Sequence, residues 1–294
     1  MQLCCILTSF CGVLSVCRPV AAVHALKGDN MSHKVVVMLL DGMRPDGIEQ
    51  CQHPFLRELR KESLWSFDAQ TVVPSITMPC HISLFNGISP SVHGNLNNSF
   101  IPLPADARSL VGECRRGGRR TAMVYSWNEL RDIVRPGEVD YSFYERMDNM
   151  GRDQQEMIAF ERRFVDRALD VIGTGEYDFI FYYYEMADIV GHHQGWMSPE
   201  YIEALSVGSE CAEKVFRALP EGYSMIITAD HGGHDKDHGF EPVDRRIPMW
   251  FWGERFPKNT CCDQLRLLDI APTVLDLVGL PAPQSWEGVS RAQK

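Results

Sequence analysis

The sequence predicts an α/β fold with a doubly wound, mostly parallel sheet and helices on both faces. The first observation is the apolar run KVVVMLL at 34–40, because parallel strands covered on both faces are hydrophobic almost throughout. The second is the alternation of strand-like runs with segments of helical spacing, which is typical of such sheets. The third is that polar clusters follow several of these runs, at the strand ends where open α/β sheets bind ligands.

The strands are predicted from short apolar, β-branched or aromatic runs that are bounded by turn residues. The first run ends at Asp41-Gly42, the third is the aromatic-rich YDFIFYYYE, and the fourth is YSMIIT. The predicted strands span 34–40, 121–125, 177–185, 223–228 and 247–252.

The helices are predicted from apolar residues that recur at helical spacing. In the first of them, Phe55, Leu56 and Leu59 lie on one face, and the last ends near Gly279 with Pro281 beyond it. The predicted helices span 53–63, 79–85, 105–115, 154–172, 199–219 and 265–277.

The domain organisation follows from length and composition. The chain has 294 residues, of which 45% are hydrophobic, so it can bury a large core. It has no apparent linker or internal repeat, and a single catalytic domain is predicted for residues 31–294. The least regular segment, about 97–150, is predicted to hold a small insertion over the sheet edge.

Residues 1–30 are interpreted as an N-terminal extension or a signal segment. Residues 3–17 are apolar over the length of a signal-peptide core, which is too short to span a bilayer. No Lys or Arg precedes them, and Met31 stands just before the first strand. A cytoplasmic protein that starts near Met31 is therefore expected, and a secreted one if residues 1–25 are a signal peptide.

The formal net charge of −10 limits the classes of partner. Nucleic acids and anionic membranes bind clustered Lys and Arg, so neither a nucleic-acid polymer nor a stable membrane anchor is expected. An acidic chain suits a protein that gathers divalent cations. The sequence leaves the oligomeric state open.

Carboxylates and imidazoles follow three of the predicted strands. Asp41 follows the first, Asp188 and His192 follow the third, and Asp230 and His231 follow the fourth. These groups are suitable ligands for zinc, and also for manganese or iron. Because the fold would bring the strand ends to one crevice, they predict a metal centre.

A hydroxyl nucleophile is predicted in the segment VPSITMPCH, where a turn runs into a helix. Ser75 and Thr77 are the candidates. A helix N-terminus stabilises an alkoxide, as does a bound metal. Two divalent ions about 3.5–4 Å apart could activate such a nucleophile and hold a transferred phosphoryl group.

Four segments, MLLDGMRPD, SITMPCHISLFNGISPSVHGN, DIVGHHQG and TADHGGHDKDHG, occur in that order. They resemble the metal motifs of the alkaline phosphatase superfamily, in particular its nucleotide pyrophosphatase/phosphodiesterase branch, the type I phosphodiesterases. The resemblance extends from Lys34 to Gly288. It implies a metal-dependent hydrolase of phosphoric ester or anhydride bonds that acts on a small phosphorylated substrate. Two divalent ions are implied, with Zn²⁺ favoured and Mn²⁺ as the alternative.

The resemblance also implies roles for individual residues. Thr77 would be the nucleophile that becomes transiently phosphorylated, and Asn98 would donate to a phosphoryl oxygen, with Asn97 as a neighbouring alternative. The implied ligands of one zinc are Asp188, His192 and a final histidine, and those of the other are Asp41, Asp230, His231 and the Thr77 oxygen.

Two histidines, His234 and His238, compete for the position of the final ligand. The prediction is His238, because short members of the superfamily place this ligand in a His-Gly pair before an Ile-Pro strand, as in His238-Gly239 and Ile247-Pro248. His234 would then contact the substrate or a ligand.

Alternative functions remain open at this point. A phosphonate hydrolase or phosphomutase of the same superfamily is one, and a metal-binding protein with a degenerate site is another. Cys80 stands where the phosphodiesterases commonly have Asn, and the chain lacks room for large insertions, so the substrate is not specified. A sulfatase is not expected, because Thr77 cannot become the formylglycine that sulfatases derive from Cys or Ser.

Several polar residues near the motifs are interpreted as structural. His81 is expected to pack in the helix, and His193 to face solvent or substrate. The run Tyr182-Tyr183-Tyr184 is expected to be a packed strand. Glu185 and Arg44 receive no catalytic role.

Overall fold

The sheet is built around a central strand that is apolar after its first residue, Lys34, with neighbouring strands on both sides. The computed structural model describes residues 34–147 and 153–294. Its strands, numbered in chain order, are β1 (Lys34–Leu40), β2 (Leu64–Gln70), β3 (Thr121–Tyr125), β4 (Tyr141–Tyr144), β5 (Phe179–Tyr184), β6 (Tyr223–Thr228), β7 (Arg246–Trp252) and β8 (Thr260–Cys261).

The strands form one mixed sheet in the order β4-β3-β5-β1-β6-β7-β2-β8. β1 pairs in parallel with β5 and β6, and β3 pairs in parallel with β4 and β5. β7 is antiparallel to both of its neighbours, β6 and β2. The prediction of a mostly parallel α/β sheet is therefore confirmed.

The helices cover both faces of the sheet. The α-helices are α1 (Pro45–Gln50), α2 (Phe55–Leu59), α3 (Thr77–Asn86), α4 (Pro90–His93), α5 (Leu110–Arg116), α6 (Gln154–Thr174), α7 (Met186–Gln194), α8 (Pro199–Ala218) and α9 (Ile270–Leu277). Helix α8 packs against α6 and α7 and is also contacted by α1 and α2, whereas α3, α5 and α9 pack together as a second group.

The ends of the longest helix, α6, show how local sequence sets an element. The Asp153 side chain accepts the N–H groups of Gln155 and Glu156, which satisfies two of the free donors at a helix start. The helix ends at Gly175, whose φ of 63° is readily adopted by glycine. Between these ends the helix buries one apolar stripe against the sheet.

The register of the three central strands places their carboxyl ends together. Leu40 pairs with Tyr184 of β5, and Leu39 pairs with Thr228 of β6. The residues that follow these strands therefore emerge at one edge of the sheet, where the candidate ligands were predicted.

Some predicted elements differ from the structure. Helix α3 begins at Thr77 rather than at residue 79, so the candidate nucleophile is its first residue. The helix predicted at 105–115 spans Leu110–Arg116. The prediction did not include the strands β2, β4 and β8 or the helix α7. Within the segment 97–150, the described part contributes β3 and β4 to the sheet itself.

The N-terminal prediction concerns a segment outside the part of the chain that the structure describes. Residues 1–30, on which the choice between a cytoplasmic and a secreted protein depends, lie outside the described residues, as do 148–152. Among the helices that are described, none has both the length and the apolar character needed to cross a bilayer.

Candidate active site

Three carboxylates converge at the edge formed by β5, β1 and β6. Asp41 follows β1 directly, Asp230 follows β6, and Asp188 lies in the first turn of α7, just after β5. Each has one buried oxygen without a hydrogen-bond partner among the described residues: Asp41 Oδ1, Asp188 Oδ1 and Asp230 Oδ2. Unpaired buried carboxylate oxygens are costly, so their convergence indicates a candidate site for a cation.

Histidine nitrogens complete two groups of potential ligand atoms, within which all atoms lie within 4.8 Å of one another. The first group is Asp41, Asp230 and His231. Its His231 Nε2 lies 3.2 Å from Asp41 Oδ1 and 3.4 Å from Asp230 Oδ2. The second group is Asp188, His231 and His238, with His238 Nε2 3.7 Å from Asp188 Oδ1.

His192, the remaining candidate ligand, lies at the edge of this cluster. Its Nε2 is 3.5 Å from Asp188 Oδ1, and its ring centroid is 5.0 Å from that of His238. It therefore faces the same Asp188 oxygen as His238. His192 is not part of either compact group, and both groups contain His231.

The tautomers of these histidines follow from their second nitrogen atoms. His231 Nδ1 lies 2.8 Å from the Gly232 carbonyl, His238 Nδ1 lies 2.8 Å from that of Ser75, and His192 Nδ1 lies 2.9 Å from that of Lys236. A carbonyl only accepts, so each Nδ1 carries the proton and donates it. Each Nε2 then presents a lone pair to the carboxylates, which is the arrangement of metal-ligating histidines.

Burial governs the protonation of the cluster. It raises the pKa of Asp41 and Asp188 well above the ordinary value, and the charge of Asp230 raises both further. Burial also raises the pKa of Asp230. The same cause lowers the pKa of His231 and of His238 to about 3. The cation-free cluster thus favours neutral groups, and a divalent cation would favour the charged carboxylates.

Thr77 lies beside the cluster at the N-terminus of α3. Its Oγ1 is 3.2 Å from His231 Nε2, and the residue is 5% exposed. Ser75, the other hydroxyl candidate, instead donates to the Val72 carbonyl at 2.9 Å. Of the two hydroxyls, only that of Thr77 contacts a candidate ligand.

Asn98 also lies at the start of α3, and its neighbour Asn97 does not. Asn98 Oδ1 accepts the Met78 N–H at 2.9 Å, whereas Asn97 Oδ1 accepts the Ser99 N–H at 2.8 Å. Because its oxygen is engaged by the helix, the Asn98 amide group is held one residue from Thr77. Its N–H groups remain as the donors it can offer to a ligand.

His234 lies outside the cluster. Its Nδ1 lies 2.9 Å from Asp244 Oδ1, and its side chain is 35% exposed. The bond to Asp244 raises the pKa of His234. Asp244 itself is buried and accepts the Gly239 N–H at 2.7 Å. It therefore holds the turn that follows His238.

The structure brings further residues to the site that the sequence did not indicate. The Tyr183 hydroxyl donates to Asp41 Oδ2, although the tyrosine run was interpreted only as packing. Its signal is alternation, because Phe179, Phe181 and Tyr183 share one face of β5. Asp244 gave no comparable signal, since its partners lie in a loop without regular spacing.

The residues that were interpreted as structural have the following positions. His81 is buried, with Nδ1 2.8 Å from the Thr77 carbonyl and 3.6 Å from Asp230 Oδ2. His193 is exposed. Glu185 is buried, and its carboxylate accepts a hydrogen bond from the Ser126 hydroxyl. Arg44 donates to the Gly233 carbonyl and pairs with Asp46.

The family of this chain is decided by how much of the chain matches the family's sequence pattern. The family model described as type I phosphodiesterase / nucleotide pyrophosphatase matches residues 35–252. The chain belongs to this family. The matched span contains every candidate residue from Asp41 to His238, and the resemblance drawn from the motifs is confirmed.

Relatives in sequence include two phosphoglycerate mutases of the 2,3-bisphosphoglycerate-independent type. The enzyme of Clostridioides difficile (strain 630) is 33% identical over 151 residues, which cover 47% of this chain and 28% of that protein. The Salmonella typhi enzyme is 34% identical over 143 residues, covering 46% and 27%. The matched segments thus span little more than a quarter of these mutases.

Solved structures of several hydrolases share the fold at low sequence identity. Murine ectonucleotide pyrophosphatase/phosphodiesterase 5, an inactive variant in complex with AMP, has a TM-score of 0.71 at 14% identity, covering 85% of this chain and 96% of that chain. A phosphonate monoester hydrolase from Silicibacter pomeroyi has a TM-score of 0.67 at 14% identity, covering 88% and 76%. A 2-O GAG sulfatase has a TM-score of 0.70 at 14% identity, covering 88% and 73%.

Proposed function

We propose that this protein is a metal-dependent phosphodiesterase or phosphatase that acts through a phosphothreonine intermediate on Thr77. The substrate would be a small phosphorylated molecule, cleaved at a phosphoric ester or anhydride bond. Family membership supports the reaction class. The observation that carries the nucleophile is the Thr77 hydroxyl, 3.2 Å from a nitrogen of the metal-ligand cluster and at the first residue of a helix.

The donor atoms fit two divalent cations. The site offers three carboxylate oxygens that have no hydrogen-bond partner in the described part of the chain, together with the Nε2 lone pairs of His192, His231 and His238. A mixed set of imidazole nitrogen and carboxylate oxygen suits zinc, with manganese as the alternative. Two such ions would lower the pKa of the Thr77 hydroxyl and neutralise charge on the transferred phosphoryl group.

The chain itself supplies position and orientation. In the proposed reaction the Thr77 oxygen, at the first residue of α3, attacks phosphorus, and the leaving oxygen departs from the opposite side as the new bond forms. The Asn98 amide, fixed by the Met78 N–H, donates to a phosphoryl oxygen. Water then cleaves the phosphothreonine and releases phosphate or a phosphate monoester.

The role of Thr77 is tested with Thr77→Ala. With added zinc, the wild-type protein should hydrolyse p-nitrophenyl phosphate esters, and the variant should lose this activity by at least about a thousandfold, as expected for loss of a nucleophile. The control is Ser75→Ala, which removes the neighbouring hydroxyl and should retain most of the activity. Full activity of Thr77→Ala would refute the nucleophile.

A mutase or phosphonate hydrolase is the second candidate. The mutase is favoured by the relatives at 33% and 34% identity, although they match over only part of their length. The phosphonate hydrolase is favoured by the fold neighbour from Silicibacter pomeroyi. Turnover of a diester, a monoester, a phosphonate ester and 3-phosphoglycerate by the same preparation would rank the four substrate classes. A protein that binds zinc but turns over none of them would instead be a degenerate metal-binding member.

A further inference from the structure

Helix α6 carries a buried acidic residue, Glu161, outside the cluster of candidate ligands. The buried stripe of this helix is otherwise largely apolar, and Glu161 lies in it one turn from Met157 and one turn from Val165. Its exposed fraction is 0%. A carboxyl group at such a position is costly unless it makes hydrogen bonds that the fold needs.

Both side-chain hydrogen bonds that the structure describes for Glu161 go to the start of α7. Its Oε1 accepts the Glu185 N–H at 3.1 Å and the Met186 N–H at 3.2 Å. These N–H groups have no partner within the helix, because the first four donors of any α-helix are unpaired. Glu161, a residue of α6, therefore accepts the N–H groups that a capping side chain of α7 would normally accept.

The helix has no cap of its own. Glu185 stands at the N-cap position of α7, and its side chain makes no cap hydrogen bond. Its carboxylate instead accepts the Ser126 hydroxyl at 2.7 Å. The start of α7 is thus fixed by a contact with the preceding α-helix, 24 residues earlier in the chain.

Helix α7 carries two of the candidate ligands, Asp188 in its first turn and His192 one turn later. Asp188 lies two residues after Met186, whose N–H Glu161 accepts. We propose that Glu161 is a positioning residue for one of the two metal sites: it fixes the first turn of α7 and so sets the Asp188 carboxylate and the His192 imidazole toward His238. This proposal rests on the metal centre of the proposed function.

The protonation of Glu161 is compatible with this role. Burial raises the pKa of Glu161 to about 8. A neutral carboxyl group still accepts through its carbonyl oxygen, so the two N–H bonds do not need the charge. The other oxygen, Oε2, has no hydrogen-bond partner among the described residues. A substitution that tests the positioning role must therefore remove the acceptor atom Oε1.

The test compares Glu161→Leu, which removes the acceptor, with Glu161→Gln, which keeps an oxygen in a similar shape. The readout is zinc binding to the full chain, measured as the dissociation constants of both sites against a zinc buffer, and as zinc per chain after dialysis. Glu161→Leu should weaken one site by about 10–100-fold, the range known for outer contacts to metal ligands. Glu161→Gln should bind zinc as the wild type does.

Reference variants identify which site changes. His192→Ala removes a ligand carried by α7, and Asp230→Asn removes a ligand that follows β6. The Glu161→Leu protein should resemble His192→Ala and differ from Asp230→Asn. Glu113→Leu is the matched control, because Glu113 is a buried glutamate of α5 that pairs with Arg108 and Arg116 away from α7. It should lose stability without changing either zinc site.

The possible results distinguish the positioning role of Glu161 from the proposed function. If the wild type binds two zinc ions and Glu161→Leu binds both unchanged, or weakens both equally, the positioning role is overturned while the proposed function stands. If the wild type binds no divalent ion, the metal centre fails and the positioning role with it. Should Glu161→Leu not fold, the smaller Glu161→Ala gives the same comparison.

Discussion

Each histidine among the candidate ligands has one nitrogen bonded to the backbone, while the other faces the candidate carboxylates. The engaged nitrogen is Nδ1 in His192, His231 and His238, and its partner is always a backbone carbonyl. Backbone carbonyls cannot give up a proton, so the tautomer is set by the fold and not by the pH. All three rings thus offer Nε2 before any ion binds, which reduces the cost of ordering the site.

The choice between His238 and His234 leads to a prediction for zinc stoichiometry. His238→Ala should lose one of two bound zinc ions, because its Nε2 lies 3.7 Å from Asp188 Oδ1. His234→Ala should keep both, because its Nδ1 bonds to Asp244 and its side chain is partly exposed. Metal analysis of the two purified variants after dialysis measures this. The reverse pattern would assign the last ligand to His234.

The sequence predicted the candidate metal ligands better than it predicted the residues that contact and position those ligands. Asp41, Asp188 and Asp230 could be found because parallel strands bring their carboxyl ends to one edge, so position along the chain predicts position in space. Tyr183 and Glu161 could not be assigned in this way. Tyr183 meets Asp41 across 142 residues of sequence, and such pairing is decided by register and packing.

At the scale of elements, a buried tryptophan joins α7 to the loop that carries the histidines. The Trp196 indole packs against Gly191 of α7 and Gly233 of the loop, where an added Cβ would lie 2.6 Å and 2.1 Å from its ring. Its Nε1–H donates to the Gly42 carbonyl at 3.0 Å, beside Asp41. Two glycines therefore allow one indole to hold three ligand-bearing segments together.

Gly233→Ala is expected to destabilise the protein by about 1–3 kcal/mol, the usual cost of overpacking a tight site. The new methyl group would meet the Trp196 ring, which the surrounding core prevents from moving away. Urea unfolding of the variant and the wild type measures the change. The control is Gly173→Ala in α6, where nothing lies within 4 Å of the added Cβ, and which should gain about 0.5–1 kcal/mol.

A loss in Gly233→Ala no larger than in other loop glycines would contradict this packing role. The fate of zinc binding is informative as well. Since Trp196 holds the segments of several ligands, the variant should also bind zinc more weakly, whereas Gly173→Ala should bind it normally.

The elements that the sequence did not predict give weak local signals, each for its own reason. Helix α7 is 9 residues long, contains a glycine and two adjacent histidines, and has no side-chain cap, so it gives little helical signal. Strand β2 lies near one edge of the sheet, and only three of its seven residues are buried, so it lacks the continuous apolar run of the central strands. The apolar run of β7 is the same whether the strand is parallel or antiparallel, so its direction depends on the connection from β6.

At the scale of the whole molecule, stability and metal binding are linked through the buried carboxylates. Their pKa values are raised in the metal-free fold, so the folded protein holds protons that the unfolded chain has lost. The metal-free fold is therefore destabilised by these groups as the pH rises from their unfolded pKa through their folded pKa. A divalent cation removes this penalty, because it binds the deprotonated form.

The stabilisation by zinc should consequently depend on pH. Above the raised pKa of Asp41 and Asp188, zinc competes with few protons, and an excess of 100 times the dissociation constant would add about 2.7 kcal/mol. As the pH falls through that pKa, the gain should shrink. Protonation of His231 and His238 does not contribute to this loss, since their pKa values are about 3. Melting temperatures with zinc and with a chelator, taken from pH 5 to 8, measure the difference. In the control, a triple variant with Asp41, Asp188 and Asp230 changed to Asn, zinc should not shift the melting temperature at any pH. A zinc-dependent shift of the wild type that is constant with pH, or larger in acid, would contradict the linkage.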